Sequence, residues 1–127
     1  MPSLYHSMVL VSDFPTSKAF YDSFFSLLGW PSHAEEEEAK AWSNDSFSFW
    51  ITQAKNPEPI RHSDGVGIDH LAFRVETKDK VETVHTWLQK RGAFVEIPPQ
   101  PFPEYSPTYY ALFFHDPDGT RLEVVFT

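Results

Sequence analysis

Three residues carry side chains that could act together on one ion: His6, His70 and Glu123. The two histidines stand 64 residues apart, each near the start of an apolar, strand-like run, and the glutamate lies in the last such run. In a strand, alternate side chains point to opposite faces, so the faces can be read from the pattern. In Ile68–Val75 the apolar set is Leu71, Phe73 and Val75, which puts His70, Ala72 and Arg74 on the other face. In Thr120–Phe126 the apolar set is Leu122, Val124 and Phe126, leaving Arg121, Glu123 and Val125 opposite. His6 shares its face with Met8 and Leu10, which permits the same orientation without requiring it. Two imidazoles and one carboxylate on a common face would form a 2-His-1-carboxylate metal site with coordination positions open to water or substrate.

Other chemistries find no residues to carry them. With no cysteine in the chain, disulfides, thiol nucleophiles, thiolate zinc sites and iron–sulfur ligation are excluded. G-x-S-x-G, P-loop, G-x-G-x-x-G and H-E-x-x-H patterns are all missing. Ten basic against eighteen acidic residues give a net charge of −8, which disfavours a nucleic-acid partner. The apolar runs fall well short of the roughly 18 residues of a membrane span, and no signal segment is visible; with no disulfide to protect, the expected setting is cytoplasmic. His33, His62, His85 and His115 are read as structural or exposed, and Glu35–Glu38 as a solvated hairpin or edge.

The elements that would position the three residues follow one grammar twice. Leu4–Val11 reads as a strand. Asp13 then caps a helix with Pro15 in its first turn, Phe20, Phe24, Leu27 and Leu28 on one face, and Gly29 at its end. Ser32–Ala54 reads as two or three antiparallel strands. In the second half, the strand Ile68–Val75 leads to a helix over Thr77–Arg91 with Val81, Val84 and Leu88 inward and Gly92 closing it. The strands Phe94–Ile97, Tyr109–Phe114 and Thr120–Phe126 follow. Pro98–Pro103 is expected to be a loop without ladder potential, and Asp116–Gly119 a hairpin turn. The whole is one α+β domain of 127 residues built from two βαβββ modules, 3–55 and 68–127, joined by a linker at 56–67. The modules are expected to form a curved mixed sheet whose concave face holds metal and substrate.

With these markers in order, the chain resembles the vicinal oxygen chelate superfamily of glyoxalase I, fosfomycin-resistance proteins, extradiol dioxygenases and bleomycin-binding proteins. The resemblance rests on the His6 strand followed by Asp13, Ser17, Phe20-Tyr21 and Leu28-Gly29. It continues through Asp69-His70-Leu71-Ala72-Phe73 and Asp116-Pro117-Asp118-Gly119 to Leu122-Glu123. It implies a divalent ion (Zn, Ni, Fe, Co or Mn) on His6, His70 and Glu123, with Glu123 also a candidate base. It implies a small oxygen-rich substrate chelated through neighbouring oxygens, in lyase or isomerase chemistry, and a homodimer. Glyoxalase I adds a fourth ligand, usually Glu or Gln, from the last strand of module one. Here the matching positions are Ser48, Trp50 and Thr52, none a good ligand, and only a shift in register would bring Gln53 into play. A dioxygenase would want a tyrosine near the ion, which Tyr109 or Tyr110 could supply, and a further histidine, which the fourth strand lacks. Trp50, Arg74, Phe102 and Tyr105 are expected to touch the substrate, Arg74 as the holder of an anionic group. The alternative is a metal-free small-molecule binding protein of the bleomycin-resistance type.

Overall fold

The computed structural model describes residues 1–58 and 64–127. His62 and part of the expected linker lie outside the described residues. The chain divides into two compact units, Met1–Pro59 and Ile60–Thr127.

In the first unit the order is β1 (His6–Val11), α1 (Phe14–Leu28), β2 (Ser32–Glu35), β3 (Ala39–Ser43) and β4 (Ser48–Gln53). The sheet order is β1-β4-β3-β2, with β1 parallel to β4 and the other pairs antiparallel. Helix α1 starts where the Asp13 carboxylate accepts from the Thr16 amide at 3.2 Å, and it ends at Gly29, whose φ of 75° suits a residue without a side chain. Its buried stripe is Phe14, Ser17, Tyr21, Phe24 and Phe25, flanked by buried Phe20. Leu27 and Leu28 are only half-buried, so the inward face is turned by about one residue from the expected one. Phe25 stacks on Trp42 of β3 at 5.1 Å, and Tyr21 meets Phe49 of β4 at 5.1 Å. Glu35–Glu38 are exposed at the β2–β3 hairpin on the sheet edge, as expected, and Glu35 has a further role. It reaches the buried Lys40 at 2.9 Å, and Lys40 also pairs with Asp22 of α1 at 2.6 Å, which ties the helix to β2 and β3.

In the second unit the order is β5 (Leu71–Arg74), α2 (Lys78–Arg91), β6 (Val95–Pro101), β7 (Tyr110–His115) and β8 (Arg121–Phe126). The sheet order is β5-β8-β7-β6, with β5 parallel to β8. The βαβββ pattern therefore occurs twice, and the expected mixed sheet is found as two four-stranded mixed sheets with two helices, an α+β fold. Val81, Val84 and Leu88 of α2 are fully buried, as are Leu112, Phe114, Leu122 and Val124.

Two further expectations need correction. The strand expected over Ile68–Val75 begins only at Leu71, so His70 lies just ahead of β5. The proline segment is also more regular than expected, since β6 runs through Pro98 and Pro99 to Pro101. It can do so because, among the described residues, β6 has a sheet partner on one side only, and its pairing with β7 jumps between Ile97 and Gln100. Residues without an amide proton are tolerated where no ladder bond asks for one.

Candidate functional site

The loop that joins β7 to β8 sets the register of the site. The Asp116 carboxylate accepts from the amides of Asp118 and Thr120, each at 2.9 Å, and Gly119 takes a φ of 86°. This closes the hairpin so that Phe113 of β7 pairs with Glu123 of β8, while Ala72 of β5 pairs with Glu123 on its other side. Glu123 is thereby held in the middle of the sheet, with a side chain only 2% exposed.

A buried carboxylate needs compensating partners, and Glu123 has two. Its Oε1 lies 3.0 Å from His70 Nε2, and its Oε2 accepts from the Tyr109 hydroxyl at 2.5 Å. Burial, followed by the bond to Glu123, pushes the Tyr109 hydroxyl far above the usual phenol range, so it remains a donor. On the other side of the imidazole, His70 Nδ1 faces Asp69 Oδ2 at 2.7 Å. The same Asp69 oxygen accepts from Arg121 Nη1 at 2.8 Å. Arg121 in turn forks onto Glu96, with Nη2 at 2.7 Å and Nε at 3.0 Å, and its guanidinium lies 4.5 Å from the Phe113 ring centre. Hydrogen bonds from Arg121 and then His115 hold the Glu96 carboxyl at about 2, and the bond to His70 draws Asp69 below its ordinary range. The Phe113 ring meets the imidazole edge-on at 5.3 Å, and Phe102 packs on Phe113 at 5.7 Å.

This arrangement fits a divalent cation. The 3.0 Å contact is a hydrogen bond when Nε2 carries a proton; when the proton sits on Nδ1 toward Asp69, Nε2 turns its lone pair to the carboxylate oxygen and the two can share a cation. Two ligand atoms about 2.1 Å from one ion stand about 3.0 Å apart at the right angles of octahedral ligation and about 3.4 Å apart at a tetrahedral angle, so the 3.0 Å separation suits the former without rearrangement. Two carboxylates, Asp69 and Glu123, flank the imidazole, and the Arg121 guanidinium is shared between Asp69 and Glu96. Among the described residues no three His, Asp or Glu side chains come together as a metal-ligating group.

His6, the third expected ligand, is the exposed first residue of β1, on the face it shares with Met8 and Leu10. Its counterpart relation to His70 is visible in the registers. Two residues beyond His6, Met8 pairs with Trp50, and two residues beyond His70, Ala72 pairs with Glu123. Trp50 thus occupies in the first unit the place that Glu123 occupies in the second. Gln53 is committed elsewhere, its Oε1 accepting from the Phe14 amide and its Nε2 donating to the Ser12 carbonyl, both at 2.9 Å.

A protein-family model described as the Glyoxalase/Bleomycin resistance protein/Dioxygenase superfamily matches residues 3–124. The chain belongs to that superfamily. Its likeness to the uncharacterized protein YqjT of Bacillus subtilis (strain 168) is 34% identity over 125 residues, which is 96% of this chain and 97% of the relative. A glyoxalase/bleomycin resistance protein from Albidiferax ferrireducens T118 superposes with a TM-score of 0.79 at 25% identity, over 97% of each chain. A genomically encoded fosfomycin resistance protein from Listeria monocytogenes shares the fold alone, with a TM-score of 0.72 at 15% identity over 100% of this chain and 94% of that one. Members of the superfamily commonly use divalent metals, act on small molecules and often form dimers.

Of the expected substrate-contacting residues, Phe102 and Tyr105 stack on each other at 5.7 Å, and Phe102 reaches the site through Phe113. Arg74 donates to the Thr127 carbonyl at 2.8 Å and lines an open depression of about 530 Å³ with Val75, Glu76, Phe126 and Thr127. Trp50 is half-buried, 6.4 Å from the ring of His33. The roles of Asp69, Glu96 and Arg121 escaped sequence reasoning. The face shared by Arg121 and Glu123 was the one available signal. No helix among the described residues is long and apolar enough to cross a membrane.

Proposed function

We propose that this chain is a glyoxalase-like, divalent-metal-dependent enzyme, of lyase or isomerase type, acting on a small substrate through neighbouring oxygens. The observation that carries this reading is the His70–Glu123 pair at 3.0 Å, with Asp69 behind the imidazole and the carboxylate buried. His70 and Glu123 would hold the ion, with His6 as the third ligand. His6 is supported by its place in the first unit, which matches that of His70 in the second. The ion, when bound, supplies Lewis-acid stabilisation to negative charge developing on substrate oxygen. Glu123 would take a proton from the substrate at Oε1 once that oxygen loosens from the ion, while Tyr109 holds Oε2. Phe102 and Tyr105 would exclude water, Trp50 would wall the pocket, and Arg74, with donors beyond its bond to Thr127, would hold an anionic group. We place the protein in the cytoplasm as a homodimer, for which the exposed Leu4, Met8 and Leu10 offer apolar surface.

The metal content of the purified protein tests this reading. One ion per chain, lost in His70→Ala and in Glu123→Ala, is the expected result. A chain that takes up no divalent ion overturns it. The second reading, a metal-free binding protein of the bleomycin-resistance type, is favoured by Trp50, an aromatic side chain where the companion module carries a carboxylate. A metal-free chain that binds a planar ligand, and loses it in Trp50→Ala, would establish that reading instead.

A further inference from the structure

We infer that Tyr109 is a positioning residue that restricts Glu123 to a single ligating oxygen; this rests on the metal-dependent reading above. The hydroxyl donates to Oε2 at 2.5 Å, while Oε1 alone faces His70 Nε2. The hydrogen bond takes one lone pair of Oε2, lowers that oxygen's strength as a donor and holds the carboxylate plane with Oε1 toward Nε2, so ligation through Oε1 alone is favoured.

Tyr109 is itself held from several sides. It precedes β7 at the end of the segment that follows β6, where the Phe102 amide donates to its carbonyl at 2.9 Å and its own amide donates to the Ser106 carbonyl at 3.3 Å. Its ring meets Tyr105 at 5.2 Å and Phe102 at 6.1 Å, both edge-on. The hydroxyl therefore comes from a fixed ring, and its direction is set by the backbone turn at 102–109. That turn carries Phe102 and Tyr105, so a ligand pressing on those rings would act on the carboxylate through Tyr109.

The adjacent Tyr110 supplies a matched control. Its hydroxyl donates at 2.7 Å to Glu82 of α2, so Tyr110→Phe also removes one tyrosine-to-carboxylate hydrogen bond, but one that does not reach Glu123. The experiment titrates metal-free full-length protein with Zn(II) in a competition assay and with Co(II) by visible absorption, for wild type, Tyr109→Phe and Tyr110→Phe. Removing an outer partner of a metal ligand typically weakens the ion by about 10–100-fold. Tyr109→Phe is expected to weaken Zn(II) by at least about 10-fold and to alter the Co(II) spectrum as Glu123 changes its mode of ligation. Tyr110→Phe, which loses an exposed hydrogen bond, is expected to lower the melting temperature no more than Tyr109→Phe and to leave both metal readouts at the wild-type level. Wild-type binding with unchanged affinity and spectrum in Tyr109→Phe overturns the inference and leaves the metal-dependent reading standing. Equal weakening in both variants also overturns it, since the loss would then be general destabilisation. Failure of the wild type to bind either ion overturns both.

Discussion

Arg121 and Glu123 stand two residues apart on one face of β8 and act on His70 from its two sides. Glu123 meets Nε2 directly, and Arg121 reaches Nδ1 through the Asp69 carboxylate that both share. One strand thus holds both ends of the imidazole, and the Glu96 fork anchors the guanidinium that does part of that holding.

Asp69→Asn tests that support. The amide keeps its size but loses the charge that orients the ring and binds Arg121. Affinity for Zn(II), read by calorimetry, is expected to fall by about 10–100-fold. Unchanged affinity would mean that the ring is held adequately by Phe113 and Glu123 alone.

His6→Ala asks whether the first unit contributes a ligand. The expected outcome is loss of the bound ion, measured by elemental analysis, with the second unit still folded. An ion retained at full occupancy would remove His6 from the site and leave His70 and Glu123 to hold it.

Glu123→Gln separates binding from chemistry. The amide retains an oxygen donor but has neither the charge to balance an ion nor the basicity to take a proton. On an identified substrate, turnover should be abolished more completely than ion binding. Wild-type turnover in this variant would show that Glu123 is not the base.

Glu96 gives the stability a pH dependence of known sign. Its folded-state pKa, about 2, lies below the ordinary 4.5, so its contribution is complete above the ordinary value and is lost as pH falls from 4.5 toward 2. For a carboxylate this close to solvent the contribution is about 1 kcal/mol once screening is allowed for. Urea unfolding of wild type and Glu96→Gln should differ by that amount at pH 6 and converge near pH 2. A gap that stays constant over this range would assign the difference to packing.

Asp116→Ala should cost about 2 kcal/mol, because two amides lose a buried carboxylate acceptor. Chemical denaturation measures the loss. If stability is unchanged, the turn does not depend on that carboxylate.

What the sequence determined by itself was local or periodic. Asp13 and Thr77 begin helices and Gly29 and Gly92 end them, because capping needs only neighbours along the chain. Strand parity placed Glu123 and Arg121 on the face opposite Leu122 and Val124, since alternation is a property of the extended backbone. The repeated grammar around His6 and His70 announced two βαβββ modules for the same reason. The tertiary structure decided the rest. Whether β6 could continue through Pro98 and Pro99 depended on its having a partner on one side only, which no local pattern states. The rotation of α1 by one residue came from the rings of Trp42 and Phe49 that it had to meet. The contacts that make the site join residues far apart in sequence, 53 positions for His70 and Glu123 and 52 for Asp69 and Arg121. Such pairs are chosen by register between strands, and a strand does not carry its partner's register in its own residues.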